Sequence, residues 1–240
     1  MSIKTISKKI KNVFRHSSVP FHKTFSQLGE DVIIWNLLTQ IKTPNKLTWL
    51  DIGAYHPNRL SNTAFFYNKG KRGVNVEANP LLIGEFNKKR KKDINLNIAI
   101  ADKSGTMDFY VMDAPTLSTL NAKEARRYEN LGHKIVKIIS VKVMTITEIL
   151  DKYCDGIFPD FLSLDAEGYD LEILKTIDFE KQSPKVICVE NIPYYPELKN
   201  YFDSMQINDL SQFLLSKNYS IIAFTGINTI FVKNDFIEKR

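Results

Sequence analysis

The chain reads as an α/β protein, with a mostly parallel sheet, helices on both faces and an antiparallel hairpin at the C-terminal end. Two observations predict this. Short apolar runs that end in an acid or a Gly turn alternate with segments of helical periodicity, the pattern of a parallel sheet built through crossover helices. The last two apolar runs break that alternation and follow each other across a Gly-containing turn.

The elements follow in order. Ser26 to Gln40 reads as a helix, with Val32, Ile33, Leu37 and Leu38 on its apolar side and a polar SQLGED segment leading in. LTWLDIG is the first strand and turn, GVNVEANP repeats the design, and INLNIAIAD makes a third run. DFLSLDAEG and KVICVEN are two more strands. Between them Leu171, Leu174 and Ile177 space a crossover helix over Leu171 to Phe179. Between Thr106 and Leu150 the order is less regular: TMDFYVM and KIISVKVM read as strands and TITEILDKY as a capped helix. A helix around Asp209 to Ser216 precedes YSIIAFTG and INTIFVKN, the closing hairpin. Residues 26–240 thus form one domain, with a mobile or substrate-facing insertion around 112–134. Residues 1–25 form a separate basic leader.

Composition limits the function classes. Of 240 residues, 43% are hydrophobic and 25% charged, an ordinary globular balance. No run approaches the roughly 18 to 20 apolar residues of a membrane span, and no apolar secretory stretch opens the chain, so a cytoplasmic protein is expected. Cys154 and Cys188 read as core thiols rather than a disulfide or metal cluster. The net charge of +6 is confined to residues 1–29, where Lys4, Lys8, Lys9, Lys11, Arg15 and Lys23 meet no acid; the other 27 basic residues match 27 acidic ones. That neutral body argues against nucleic acid as a partner. Ile3, Ile6, Ile10, Val13 and Phe14 recur at helical spacing in the leader. They make it an amphipathic cationic helix that is either solvated or touches an anionic membrane surface or a lipid-linked substrate at the inner face. The basic run Lys88 to Lys92 reads as a solvated helix end. The sequence assigns no oligomeric state.

In an open parallel sheet, ligands bind beyond the carboxyl ends of the strands. Asp51 ends the first run, Glu77 the second, Asp102 follows the third, and Asp165 ends the fourth with Glu167 two residues on. A Gly turn after Asp51, followed roughly 20 residues later by an acid at the next strand end, describes ribose recognition. Gly53 lets the backbone approach a ligand closely. The turn DIGAYHP lacks G-x-G-x-x-G, and bulky Tyr55, His56 and Pro57 argue against a dinucleotide.

Taken together, WLDIGAYHP, GVNVEANP, NIAIADKSGTMDFYV and DFLSLDAEGYDLEILKTIDF resemble the FkbM family of S-adenosylmethionine-dependent methyltransferases, over about Ser26 to Pro196. The resemblance implies a Rossmann-like seven-stranded methyltransferase sheet. It places Asp51, Gly53, Ala54 and Tyr55 in the cofactor loop, Glu77 and Ala78 at the ribose, Asp102 near the adenine and Asp165 beside the reaction centre. Tyr55 and His56 depart from the commoner family pattern.

Methyl transfer to a hydroxyl needs alignment and a group to take the proton, or a metal to acidify the hydroxyl. Asp165, His56 and Glu190 are the candidate catalytic residues, and Asp165, Glu167 and Asp170 the candidate ligands of a divalent metal. NIPYYP, from Asn191 to Pro196, reads as a rigid turn at the acceptor pocket, with Tyr194 and Tyr195 able to stack on a sugar. The expected activity is O-methylation of a sugar hydroxyl in a surface glycan or secondary metabolite, on a nucleotide-linked or lipid-linked acceptor. The sugar itself is implied by the family alone. RNA or protein methylation, or non-catalytic nucleotide binding on the same fold, are the alternatives.

Overall fold

A computed structural model describes residues 23–40, 47–191 and 208–236. In chain order the elements are α1 (Glu30–Gln40), β1 (Trp49–Ile52), α2 (Ala64–Asn68), β2 (Val74–Val76), α3 (Pro80–Lys89), β3 (Ile94–Leu96), β4 (Ala99–Ile100) and β5 (Gly105–Met112). They continue with α4 (Ala122–Asn130), β6 (Ile135–Met144), α5 (Ile146–Tyr153), β7 (Phe161–Leu164), α6 (Asp170–Lys175), β8 (Val186–Glu190), α7 (Asp209–Ser216), β9 (Tyr219–Phe224) and β10 (Asn228–Lys233).

Seven strands form one sheet in the order β3-β2-β1-β7-β8-β10-β9. The first five are parallel, and β10 enters antiparallel between β8 and β9. The sheet is the expected Rossmann-like one, and its C-terminal hairpin turns at Gly226, whose φ of 101° suits glycine. Strand periodicity divides the core into two layers. Leu50, Ile52, Leu162, Leu164, Ile187 and Val189 pack with Ile149, Leu150, Ile173, Leu174, Leu210 and Leu214 from α5, α6 and α7. Their alternates Trp49, Phe161, Val186 and Cys188 face Ile34 and Leu38 of α1 and Phe66 of α2. Asp51 shares the parity of Trp49, so its side chain is aimed at that second layer and is buried.

The SQLGED segment is a hydrogen-bonded knot. Asp31 accepts from Thr24 Oγ1 at 2.7 Å, the Phe25 amide at 2.7 Å and Ser26 Oγ at 3.0 Å. Glu30 accepts from Asn228 Nδ2 at 3.0 Å and Thr225 Oγ1 at 2.7 Å, which ties α1 to the hairpin turn.

Three local expectations change. The run INLNIAIAD is two strands: β3 stays in the main sheet, while β4 joins a second sheet of order β4-β6-β5. The break falls at Asn97, whose side-chain amide donates to the carbonyls of Glu77 and Ala78 at 2.8 and 3.0 Å and draws the chain out of the ladder. The crossover helix α6 is shorter than Leu171 to Phe179, although Ile177 and Phe179 beyond its end remain buried. Lys88 and Lys89 are exposed and pair with Glu85, but Arg90 in the same run is 0% exposed, because the chain leaves α3 there and turns its side chain inward. Thr145 caps α5 in a capping box with Glu148, as the sequence predicts. Cys188 is buried and Cys154 half-buried, and both are free thiols. The leader helix and Tyr194 and Tyr195 lie outside the described residues.

Candidate active site

A cavity of about 290 Å³ opens at the carboxyl ends of β1, β2, β7 and β8. Ile52, Gly53 and Tyr55 form one wall, and Val76, Glu77 and Ala78 the next. Ile98, Ala99 and Ile100 follow, and Asp165, Ala166, Glu167 and Glu190 close the far side.

The β1 turn is clamped to β2. The amides of Gly53 and Ala54 both donate to the Val76 carbonyl, at 3.0 and 3.1 Å. Gly53 has a φ of 75°, and a Cβ there would stand 1.7 Å from the carbonyl oxygen of Asp165, so only glycine fits. Glu77 is 6% exposed and accepts the Tyr55 amide on Oε2 at 2.8 Å and the Asn79 amide on Oε1 at 2.7 Å. Burial pushes its carboxyl up to about 7 against these two hydrogen bonds. A carboxylate offers about four acceptor positions, so two remain for hydroxyls in the cavity.

Across the cavity, Asp165, Glu167 and Glu190 each place a carboxyl oxygen within 4.8 Å of the others. Glu167 has a φ of 47° and Gly168 one of 81°, and this left-handed pair folds the loop after β7 back over the strand end. Asp165 lines the cavity and is solvent-accessible; desolvation by the surrounding protein, then the charges of Glu190 and Glu167, push its carboxyl upward. Burial, followed by Glu190, raises Glu167 to about 8, while burial, followed by Asp170, raises Glu190 to about 7.

The insertion is packed onto this loop. Tyr128 Oη donates to Glu167 Oε2 at 2.5 Å, Thr119 Oγ1 to the Glu167 carbonyl at 2.7 Å, and Asn121 Nδ2 to the Gly168 carbonyl at 3.1 Å. Residues 115–120 also line the cavity.

Several sequence-predicted residues stand elsewhere. His56 does not line the cavity: its Nδ1 accepts the amides of Asn58 and Arg59, both at 3.1 Å, so the ring caps a turn. Asp102 is exposed beyond β4 and outside the cavity, where Ile98 to Ile100 form the wall instead. Ala54 packs against Ile83 and Phe86 behind the turn. Asp170 is drawn away from the acidic cluster because its carboxylate accepts the Ala166 amide at 2.8 Å; Glu190 takes its place. Gln27, Leu60, Asn62 and Asn228 also line the cavity. Only the SQLGED segment signalled any of these, since the others reach the site through tertiary folding.

Residues 51–221 match the family model described as the methyltransferase FkbM domain. The chain belongs to the FkbM methyltransferase family. The enzyme is therefore an S-adenosylmethionine-dependent methyltransferase. No curated protein matches the chain. Among solved structures, a putative caffeoyl-CoA O-methyltransferase from Staphylococcus aureus is 12% identical, covering 97% of this chain and 93% of its own, with a TM-score of 0.47. Precorrin-6y C5,15-methyltransferase from Geobacter metallireducens is 14% identical, covering 90% and 94%, with a TM-score of 0.39. An O-methyltransferase from Bacillus cereus in complex with SAH is 14% identical, covering 93% and 88%, with a TM-score of 0.38. The cavity of the FkbM enzyme has the features its cofactor needs: Gly53 leaves backbone room, Glu77 keeps acceptor positions free, and three carboxyls stand together at the far end. No helix among the described residues is long and apolar enough to cross a membrane.

Proposed function

We propose that this enzyme is an O-methyltransferase acting on a hydroxyl of a sugar, in a surface glycan or a secondary metabolite. The observation that carries the reading is the trio Asp165, Glu167 and Glu190 at one end of the cavity, with Glu190 raised to about 7. A general base is most effective when its pKa lies near the working pH. Glu190, with Asp165 beside it, accepts the proton of the acceptor hydroxyl as its oxygen attacks, and Tyr128 holds Glu167 alongside. S-adenosylmethionine supplies the methyl carbon on a positively charged sulfur, which leaves with the bonding electrons as a neutral thioether. In this reading Gly53, Tyr55, Glu77 and Ala78 hold the nucleoside. Gln27, Asn62 and Thr116 give the cavity the amide and hydroxyl groups that a hydroxyl-rich acceptor needs.

A second reading places a divalent cation on the same trio, supported by the mutual 4.8 Å spacing of its oxygens. Oxygens that share an ion at about 2.3–2.6 Å lie no farther apart than roughly 5 Å. The cationic leader, lying outside the described residues, suits an acceptor carried on lipid at the inner membrane surface.

The test combines binding and transfer. Calorimetry with S-adenosylmethionine should show binding that Glu77→Ala abolishes; undiminished binding would overturn the nucleoside assignment. Glu190→Gln should keep cofactor affinity and lose about 10²- to 10⁴-fold in kcat. Labelled cofactor is then offered with nucleotide sugars, extracted glycolipids and RNA, and label in RNA alone would sink the sugar reading. Turnover surviving a chelator would eliminate the cation.

A further inference from the structure

Arg90 is a fully buried cation that does not line the cavity. Its Nε donates to Asp93 Oδ2 at 2.8 Å, and its Nη1 to Thr63 Oγ1 at 2.9 Å. Its guanidinium lies 5.3 Å from the ring centres of Trp49 and Tyr67 and 5.6 Å from that of Phe86. Nη2 is buried with no hydrogen-bond partner among the described residues. Burying an arginine is unfavourable unless its donors are answered, so such a residue calls for a reason beyond packing.

Thr63 supplies it. A hydroxyl has one proton, and that of Thr63 goes to Asp51 Oδ2 at 2.6 Å, so its oxygen must accept from Arg90. The polarity of the chain Arg90 to Thr63 to Asp51 is thereby set, and each link strengthens the next. The middle and the acidic end of the relay adjoin the cavity in sequence: Thr63 immediately follows Asn62, and Asp51 immediately precedes Ile52 and Gly53. Asn62 in turn donates to Ser163 Oγ on β7 at 3.2 Å.

We infer that Arg90 is a positioning residue for methyl-donor binding: through Thr63 and Asp51 it holds the β1 turn and the segment around Asn62 in the register that forms the cofactor wall. The inference rests on the donor occupying this cavity beside Glu77. Arg90 touches no ligand itself. Its charge compensates Asp51 and Asp93 together, so removing it leaves two buried carboxylates without the guanidinium that offsets them.

Arg90→Met is the direct variant but threatens folding, so Thr63→Val carries the test. Valine keeps the shape and the helix approach, and it cuts the relay without removing a charge. Donor affinity by calorimetry should weaken about tenfold, the scale of a hydrogen bond to a charged group. The kcat at saturating donor should stay within about twofold, and Thr63→Ser should restore affinity. Unchanged affinity in Thr63→Val overturns the inference, whatever happens to thermal stability, and so does a Thr63→Ser variant as weak as Thr63→Val. Glu77→Ala measured in parallel separates the two claims: normal binding there removes the site assignment, whereas a defect in Glu77→Ala alone removes only the relay.

Discussion

One methyl group at Gly53 would meet the Asp165 carbonyl at 1.7 Å, in a backbone conformation that itself disfavours any side chain. Gly53→Ala therefore combines a left-handed strain of about 1–2 kcal/mol with a clash that only movement of β1 from β7 relieves. A lowered melting temperature and donor affinity reduced by at least tenfold are expected; near-normal affinity would show that the two strand ends are not in contact in solution. At this scale the sequence was legible wherever position along a strand decides the outcome. Gly53, Glu77 and Asp165 end apolar runs in a parallel sheet, so topology brings them to one edge. Asp51 lies two residues before Gly53, still inside β1, and shares the parity of Trp49, so its side chain enters the layer beneath α1 and α2 instead of the cavity. His56, Asp102 and Arg90 were misplaced for a different reason. Spacing says nothing about which amides an imidazole will cap, or which lysine-rich turn hides its one arginine.

The helix α3 carries its own start signal and the site's geometry at once. Asn79 accepts the Leu81 amide at 3.0 Å as the N-cap, and its own amide donates to Glu77. Asn79→Ala should cost about 1 kcal/mol of stability through the lost cap, and weaken the donor only modestly because the backbone donor to Glu77 remains. Chemical denaturation and calorimetry on one sample would check both, and a collapse in affinity would show that the cap also orients Glu77. Elements with strong local signals were predicted well, as Thr145 and Glu148 show for α5. The split of β3 from β4 was not legible, because one side chain, Asn97, diverts the chain toward carbonyls distant in sequence.

For the molecule as a whole, most of the buried acids among the described residues are held above the ordinary range. Glu77 is raised from 4.5 to about 7 and Asp170 from 3.8 to about 6, each chiefly by burial. Glu190 and Glu167 are raised similarly. Such carboxyls bind protons more tightly folded than unfolded, so their contribution to stability is complete below the unfolded values and disappears as pH climbs through the folded ones. Glu30 has the opposite sense: hydrogen bonds from Asn228, Leu28 and Thr225 outweigh its burial and hold it low, so its contribution is lost only as pH falls below the normal carboxylate range. The melting temperature of the ligand-free, cation-free protein should therefore peak near about pH 5 and decline toward about pH 8. A curve that rises over that interval would contradict these environments. The overall architecture was the most legible level, since alternation and the final hairpin specify the sheet without side-chain detail.

The attachment of the insertion to the carboxylate loop has a further consequence. Thr119, Asn121 and Tyr128 hold it there by three side-chain hydrogen bonds, far fewer links than join the central strands. A unit fastened so sparingly opens at a smaller free energy than the sheet beneath it. Amide hydrogens of residues 115–130 should thus exchange with deuterated solvent well before those of β1 and β7. The lag between the two would clock how often the reaction chamber uncovers itself.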